Sequence, residues 1–247
     1  MNENTEKQNH WKKIYFLGGV VAFIVFGLTI TDIIIGLMTS GDLTLLPQTA
    51  TERFLEFQES RLIGLYHLDM LNVIISAAMI PVFFALCVIH REIKPATSTL
   101  TLILFLVATT IFITTNTALP MLQLSGKYFS TTSETQRALY ASAGEALLVR
   151  GEHGTPGVFI GFFLLTLSNL FISFVMLNAG IFKKIVGYLG IIGSFSLLIY
   201  IFLVTFFSSI KSIAVIIAAP GGILVLVWYL FIAIKLINVG LEKINDK

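Results

Sequence analysis

The chain of 247 residues carries 16 lysines and arginines against 14 aspartates and glutamates, a formal net charge of +2, with 56% hydrophobic residues, 12% charged residues and a mean hydropathy of +0.89. A soluble domain is usually roughly 25% charged, so this composition excludes an ordinary soluble domain, a disordered chain and a nucleic-acid-binding protein. The bilayer is the implied solvent, and the single cysteine, Cys87, permits no intrachain disulfide.

A hydrocarbon core about 30 Å thick needs about 20 predominantly apolar residues of helix. Runs of that kind predict six spans, near 14–37, 62–89, 98–119, 155–179, 185–208 and 212–238. The expected fold is all-α: one integral membrane domain, a polytopic bundle of six transmembrane helices with one extra helix in the external loop between spans three and four. The first run is too long for the apolar region of a cleaved signal and reads as a retained span. Ten lysines and arginines, among them Lys12, Lys13, Arg91, Lys94, Lys183 and Lys184, fall on one side, and six fall on the other. That bias predicts that both termini are cytoplasmic.

Along the chain, span one carries Asp32 near its outer end, and the external segment that follows is acidic, with Asp42, Glu52, Glu56 and Glu59. In span two, Asp69, Asn72 and Ser76 fall within about 60° of one another on a continuous helix; Tyr66 is nearly aligned with them and His67 faces elsewhere. Pro81 is expected to bend this helix. Span three offers Thr109 with Asn116, and Thr110 with Thr114 and Thr117. The next external segment predicts a helix from about Thr132 to Arg150, started by a capping box of Thr131 and Glu134, stopped by Gly151, and bearing Arg137, Glu145 and Arg150; His153 follows. Span four aligns Thr166, Asn169 and Ser173. Gly187, Gly190 and Gly193 in span five allow a close helix neighbour, and Pro220-Gly221-Gly222 is expected to kink or unwind span six.

An ionisable side chain deep in hydrocarbon costs about 2.5 to 3.5 kcal/mol, so Asp32 and Asp69 ask for a partner or a purpose. The expectation is an outward-facing polar pocket of Asp32, Tyr66, Asp69, Asn72, Ser76, Asn116 and Asn169 that binds, or helps to transport, a small or amphiphilic ligand. His67, Glu145, His153, Arg137 and Arg150 are its candidate charge or metal partners. The plainer reading of the Ser, Thr and Asn residues is hydrogen bonding between helices.

No catalytic residue is identified, since neither H-E-x-x-H nor G-x-S-x-G occurs. The spacing implies no cofactor, while a distributed set of Asp32, His67, Asp69, Glu145 and His153 leaves a metal open. Two other classes stay in view: an intramembrane lipid-directed enzyme, metal-dependent or not, and a membrane-complex subunit that docks through the glycine face of span five. Expected partners are membrane lipids with either a small or amphiphilic ligand or another membrane protein, and no nucleic acid.

The segment Glu59-Ser60-Arg61-Leu62-Ile63-Gly64-Leu65, followed by Asp69 and a basic turn ending at Lys94-Pro95, resembles a bacterial family of six-span integral membrane proteins known only as a domain of unknown function. The stretch Asn178 to Gly190 is similar to that family's turn and fifth span. The resemblance implies the topology and assigns no substrate or catalytic residue.

Overall fold

The computed structural model describes residues 3–39 and 47–242. Asp42, Lys243 and Lys247 lie outside the described residues. Among the described residues there are ten α-helices and no strand: α1 (Glu3–Thr39), α2 (Ala50–Glu59), α3 (Arg61–His67), α4 (Met70–His90), α5 (Pro95–Thr115), α6 (Ala118–Ser130), α7 (Glu134–Gly151), α8 (Pro156–Ala179), α9 (Lys184–Phe206) and α10 (Lys211–Leu241). Six segments, carried by α1, α4, α5, α8, α9 and α10, are long and apolar enough to cross a membrane. The chain is a multi-pass membrane protein, as its composition requires.

The six long helices pack as a ring in the order α1, α4, α5, α8, α9, α10, which closes back on α1; α4 also touches α8 across the middle. The ring is filled. Val25 of α1, Met79, Phe83 and Leu86 of α4, Phe105 of α5, Met176 of α8, Val186 of α9 and Trp228 of α10 belong to one buried apolar cluster. Phe83 and Phe105 stack with ring centroids 3.7 Å apart. The glycine face of α9 is consumed within the chain: a Cβ at Gly190 would collide with Ser173 Oγ and lie 2.7 Å from Trp228 Nε1. That face is therefore closed to the outside partner considered for it.

Both internal prolines lie in unbroken helices, so the unwinding expected at Pro220 does not occur. Close packing holds the helix there: the position of a Cβ on Gly221 lies 2.7 Å from Ser196 Cβ.

At one end of the ring α2, α3, α6 and α7 form a cap with its own small core, which includes Phe54, Phe57, Leu68, Met121 and Leu148. The helix expected between spans three and four is α7, and α6 precedes it. Its cap differs from the expected box: Ser133 is the N-cap, accepting from the Gln136 amide, while Thr131 Oγ1 donates to Gln136 Oε1 at 2.6 Å. A true capping box starts α2 instead, where Thr49 Oγ1 accepts from the Glu52 amide and Glu52 Oε2 accepts from the Thr49 amide at 3.0 Å.

Candidate functional site

The second span is not one helix. It breaks between His67 and Met70, and Asp69 at the break has φ 61° and ψ 21°, the one positive φ of a non-glycine residue among the described residues. The left-handed region costs roughly 1–2 kcal/mol for an L-residue, least for Asn and Asp. Tertiary bonds hold it there. Asn116, at the end of α5, donates from Nδ2 to the carbonyl of Leu68 at 2.7 Å and accepts the Ala118 amide on Oδ1 at 3.1 Å, tying one chain break to another.

The turn moves the Asp69 carboxylate to the cap end of the ring, where it is buried. Oδ1 accepts from Asn72 Nδ2 at 3.1 Å, and Oδ2 lies 3.0 Å from His153 Nδ1. The other ring nitrogen, Nε2, lies 2.7 Å from the Tyr200 hydroxyl of α9. His153 is carried by the turn between α7 and α8. There Thr155 Oγ1 donates to the Glu152 carbonyl at 2.7 Å, Gly154 takes φ 79°, and the imidazole meets Phe162 edge to face at 5.1 Å.

The donors and acceptors dictate the proton positions. An ionised carboxylate only accepts, so Nδ1 carries a proton toward Asp69. With a neutral ring, Nε2 accepts the Tyr200 O–H. When the ring is protonated, Nε2 donates to the Tyr200 oxygen and the phenolic hydrogen turns outward.

Asp32 stands beside this chain. Tyr66 Oη donates to its main-chain carbonyl at 2.8 Å, and the charges of Asp69 and His153 reach its carboxylate. Burial, with the Asp32 and Asp69 carboxylates added, pushes the Tyr66 phenol up, so it remains a donor. Neither lysine nor arginine pairs with Asp32 among the described residues.

Of the residues singled out from sequence, the structure brings Asp32, Tyr66, Asp69, Asn72 and His153 together and uses Asn116 to hold the break. The others go elsewhere. Ser76 Oγ donates to the Asn72 carbonyl of its own helix at 2.8 Å. Asn169 partners Tyr229 of α10, and its carbonyl accepts Ser173 Oγ at 2.7 Å. Thr110 and Thr114 are exposed and bond back to their own helix at 2.9 Å each, so they form no pocket wall. Glu145 Oε1 accepts the Ala50 amide at 2.7 Å, Arg137 binds the Thr131 carbonyl at 3.1 Å and Arg150 the Thr114 carbonyl at 3.1 Å. None of these three meets Asp69. His67 pairs with Glu56 at 2.5 Å. Among the described residues no three His, Cys, Asp or Glu side chains converge as a metal set, so the five-residue set considered from sequence does not assemble.

Sequence reasoning missed two features. Tyr200 reads as one aromatic near the outer end of a span, and no spacing links it to a histidine 47 positions away. The second is a network under the cap: Arg53, 1% exposed, binds Glu56 at 3.3 Å and Glu152 at 2.7 Å, next to His153. Burial alone would raise Glu56, but the hydrogen bond and charge of His67, with Arg53, hold its carboxyl below the ordinary value. The i,i+3 pair of Arg53 and Glu56 was a readable signal.

Two cavities lie elsewhere. One of about 230 Å³ sits in the cap beside Phe57, Arg61 and Ser125, and one of about 320 Å³ lies between α5 and α8 at the opposite end.

Residues 14–235 match the family described as a domain of unknown function (DUF4386), and the chain belongs to that family. No curated protein and no solved structure matches it.

Proposed function

We propose that this DUF4386 member sits in a bacterial cell membrane with both termini cytoplasmic and the cap outside, and that its cap-end cluster binds, or helps to move, a small or amphiphilic ligand with a cationic group. The orientation is supported by Arg91, Lys94, Lys183 and Lys184 in the two short turns away from the cap. The observation that carries the binding reading is the hydrogen-bonded chain Asp69–His153–Tyr200 beside Asp32, a half-buried carboxylate with no lysine or arginine partner among the described residues. A carboxylate in that position takes up either a proton or a cation. His153 tunes the site: its protonation turns the Tyr200 hydroxyl from a donor toward the ring into a donor toward a ligand.

The test is thermal stabilisation of the purified full chain by choline and by decyltrimethylammonium. Wild type should be stabilised and Asp32→Asn should lose the response while keeping its fold. An equal response in both proteins, or none in either, overturns the reading.

A second reading has one observation in its favour. Carboxylate, imidazole and hydroxyl are connected as in a nucleophile triad, with Tyr200 Oη in the nucleophile's place at 2.7 Å from Nε2. It predicts that an aryl sulfonyl fluoride labels Tyr200, its oxygen forming the sulfonate ester as fluoride leaves, and that His153→Ala abolishes labelling. Labelling of Tyr200 at the same rate in that variant refutes it.

A further inference from the structure

We propose that the groove between α5 and α8, at the end of the ring away from the cap, seats one anionic phospholipid of the adjoining leaflet. The phosphate rests on Lys94 and Asn178, and an acyl chain runs along Leu100, Phe171 and Phe174. The groove has a volume of about 320 Å³ and is lined by two parallel stripes, Thr97, Leu100 and Thr101 from α5 and Phe171, Phe174, Val175 and Asn178 from α8. Both stripes follow helical spacing, and both end in a polar residue at the same level, because Lys94 is the N-cap of α5 and α8 is about to end at Ala179.

The occupant follows from chemistry along the groove. Its lower part is apolar and faces outward, with Leu100 61% exposed, so at hydrocarbon depth a lipid chain is the natural filling. Its volume is near the small end of the range of about 300–1,000 Å³ for ligand sites, enough for a headgroup phosphate and part of one chain. At the mouth the Lys94 ammonium is exposed and makes no salt bridge among the described residues. Asn178 spends one amide N–H on the Phe174 carbonyl at 2.9 Å, which leaves the other for a phosphate oxygen. The uncapped first turn of α5, with Pro95 at its start, adds its dipole to the same spot. Arg91, Lys183 and Lys184 make the surrounding face basic, and Arg91 is partly spent on Glu92 and on the Trp11 ring. An anionic headgroup complements that mouth; a zwitterionic one gains less.

The test is native mass spectrometry of the full chain released from micelles containing equal phosphatidylglycerol and phosphatidylcholine. Wild type should retain one phosphatidylglycerol in preference to phosphatidylcholine. Lys94→Glu should weaken retention about fivefold or more. Leu100→Trp, which fills the groove and leaves the charge intact, should give a comparable loss, and Lys183→Glu on the same face should leave retention near wild type. Equal retention of the two lipids, or a loss in Lys183→Glu as large as in Lys94→Glu, overturns the proposal, as does a dimer whose formation Leu100→Trp abolishes. If Lys94→Glu does not fold, Leu100→Trp decides the matter alone.

Discussion

Replacing Asp69 probes backbone strain and the hydrogen-bonded chain together, and three substitutions separate them. Asp69→Leu removes both acceptors, leaves the His153 N–H and the Asn72 amide without a partner, and puts a branched side chain at φ 61°. Hydrogen bonds to a charged group contribute about 1.5–3 kcal/mol each, so the loss of two, partly relieved by rearrangement, comes to about 4 kcal/mol. For a chain of this size each kcal/mol moves the unfolding midpoint by roughly 2–4 °C, so Asp69→Leu should unfold about 8–16 °C earlier. Asp69→Asn tolerates the same backbone and still accepts from His153; it should lose only about 1.5 kcal/mol, or about 3–6 °C. Asp69→Gly should fall between them, since it relieves the strain but loses both bonds. The assay is thermal unfolding of purified protein in detergent, with size-exclusion profiles to confirm the folded state. A Leu variant as stable as wild type, or an Asn variant as damaged as Leu, refutes the reasoning.

Three other outcomes follow from the packing and the charges. Gly190→Ala should be destabilising by about 1–3 kcal/mol, since its methyl meets Ser173 and Trp228, whereas Gly222→Ala, with nothing within 4 Å, should be neutral or stabilising; both are read by thermal unfolding. Glu56 is held below its ordinary value, so its contribution is complete above the unfolded pKa of about 4.3 and disappears as pH falls through the lower folded value. Amide protection in α2 and α3, measured by hydrogen exchange, should therefore drop in acid in wild type and lose most of that dependence in Glu56→Gln. In a Cys87→Ala background, an impermeant maleimide added to intact cells should label Lys127→Cys in the cap but reach Lys183→Cys only after lysis. The reverse pattern inverts the topology.

The six long helices were legible because a bilayer imposes length and apolarity on each segment separately, and a window of about 20 residues captures both. What stayed hidden depends on contacts between segments. A helical wheel cannot show that span two breaks at Asp69, because the left-handed turn is held by Asn116 from another helix. The wheel placed Asp69, Asn72 and Ser76 on one face of a continuous helix; the break instead makes Asp69 the N-cap and lets Asn72 bond to it from α4. His153 was legible only as one of several residues in external segments, and Tyr200 not at all, since the tertiary fold alone brings α9 to the turn before α8. The Ser and Thr stripes misled for a local reason. Several of these hydroxyls, those of Thr110, Thr166 and Ser173 among them, satisfy themselves on the carbonyl four residues back and so need neither pocket nor neighbour, whereas the buried Thr109 and Thr117 hydroxyls make no hydrogen bond among the described residues.

The coupling of Asp69, His153 and Tyr200 is tested most directly by nitrogen-15 NMR of the histidine rings, with His153 assigned by its loss in His153→Gln. When the His153 ring is neutral, it should be protonated on Nδ1, with a bare Nε2 that receives the tyrosine hydroxyl. Asp69→Asn and Tyr200→Phe should each shift the resonance of the nitrogen they face and change the pH at which the ring titrates. A proton resident on Nε2, or a titration curve unmoved by either substitution, contradicts the account.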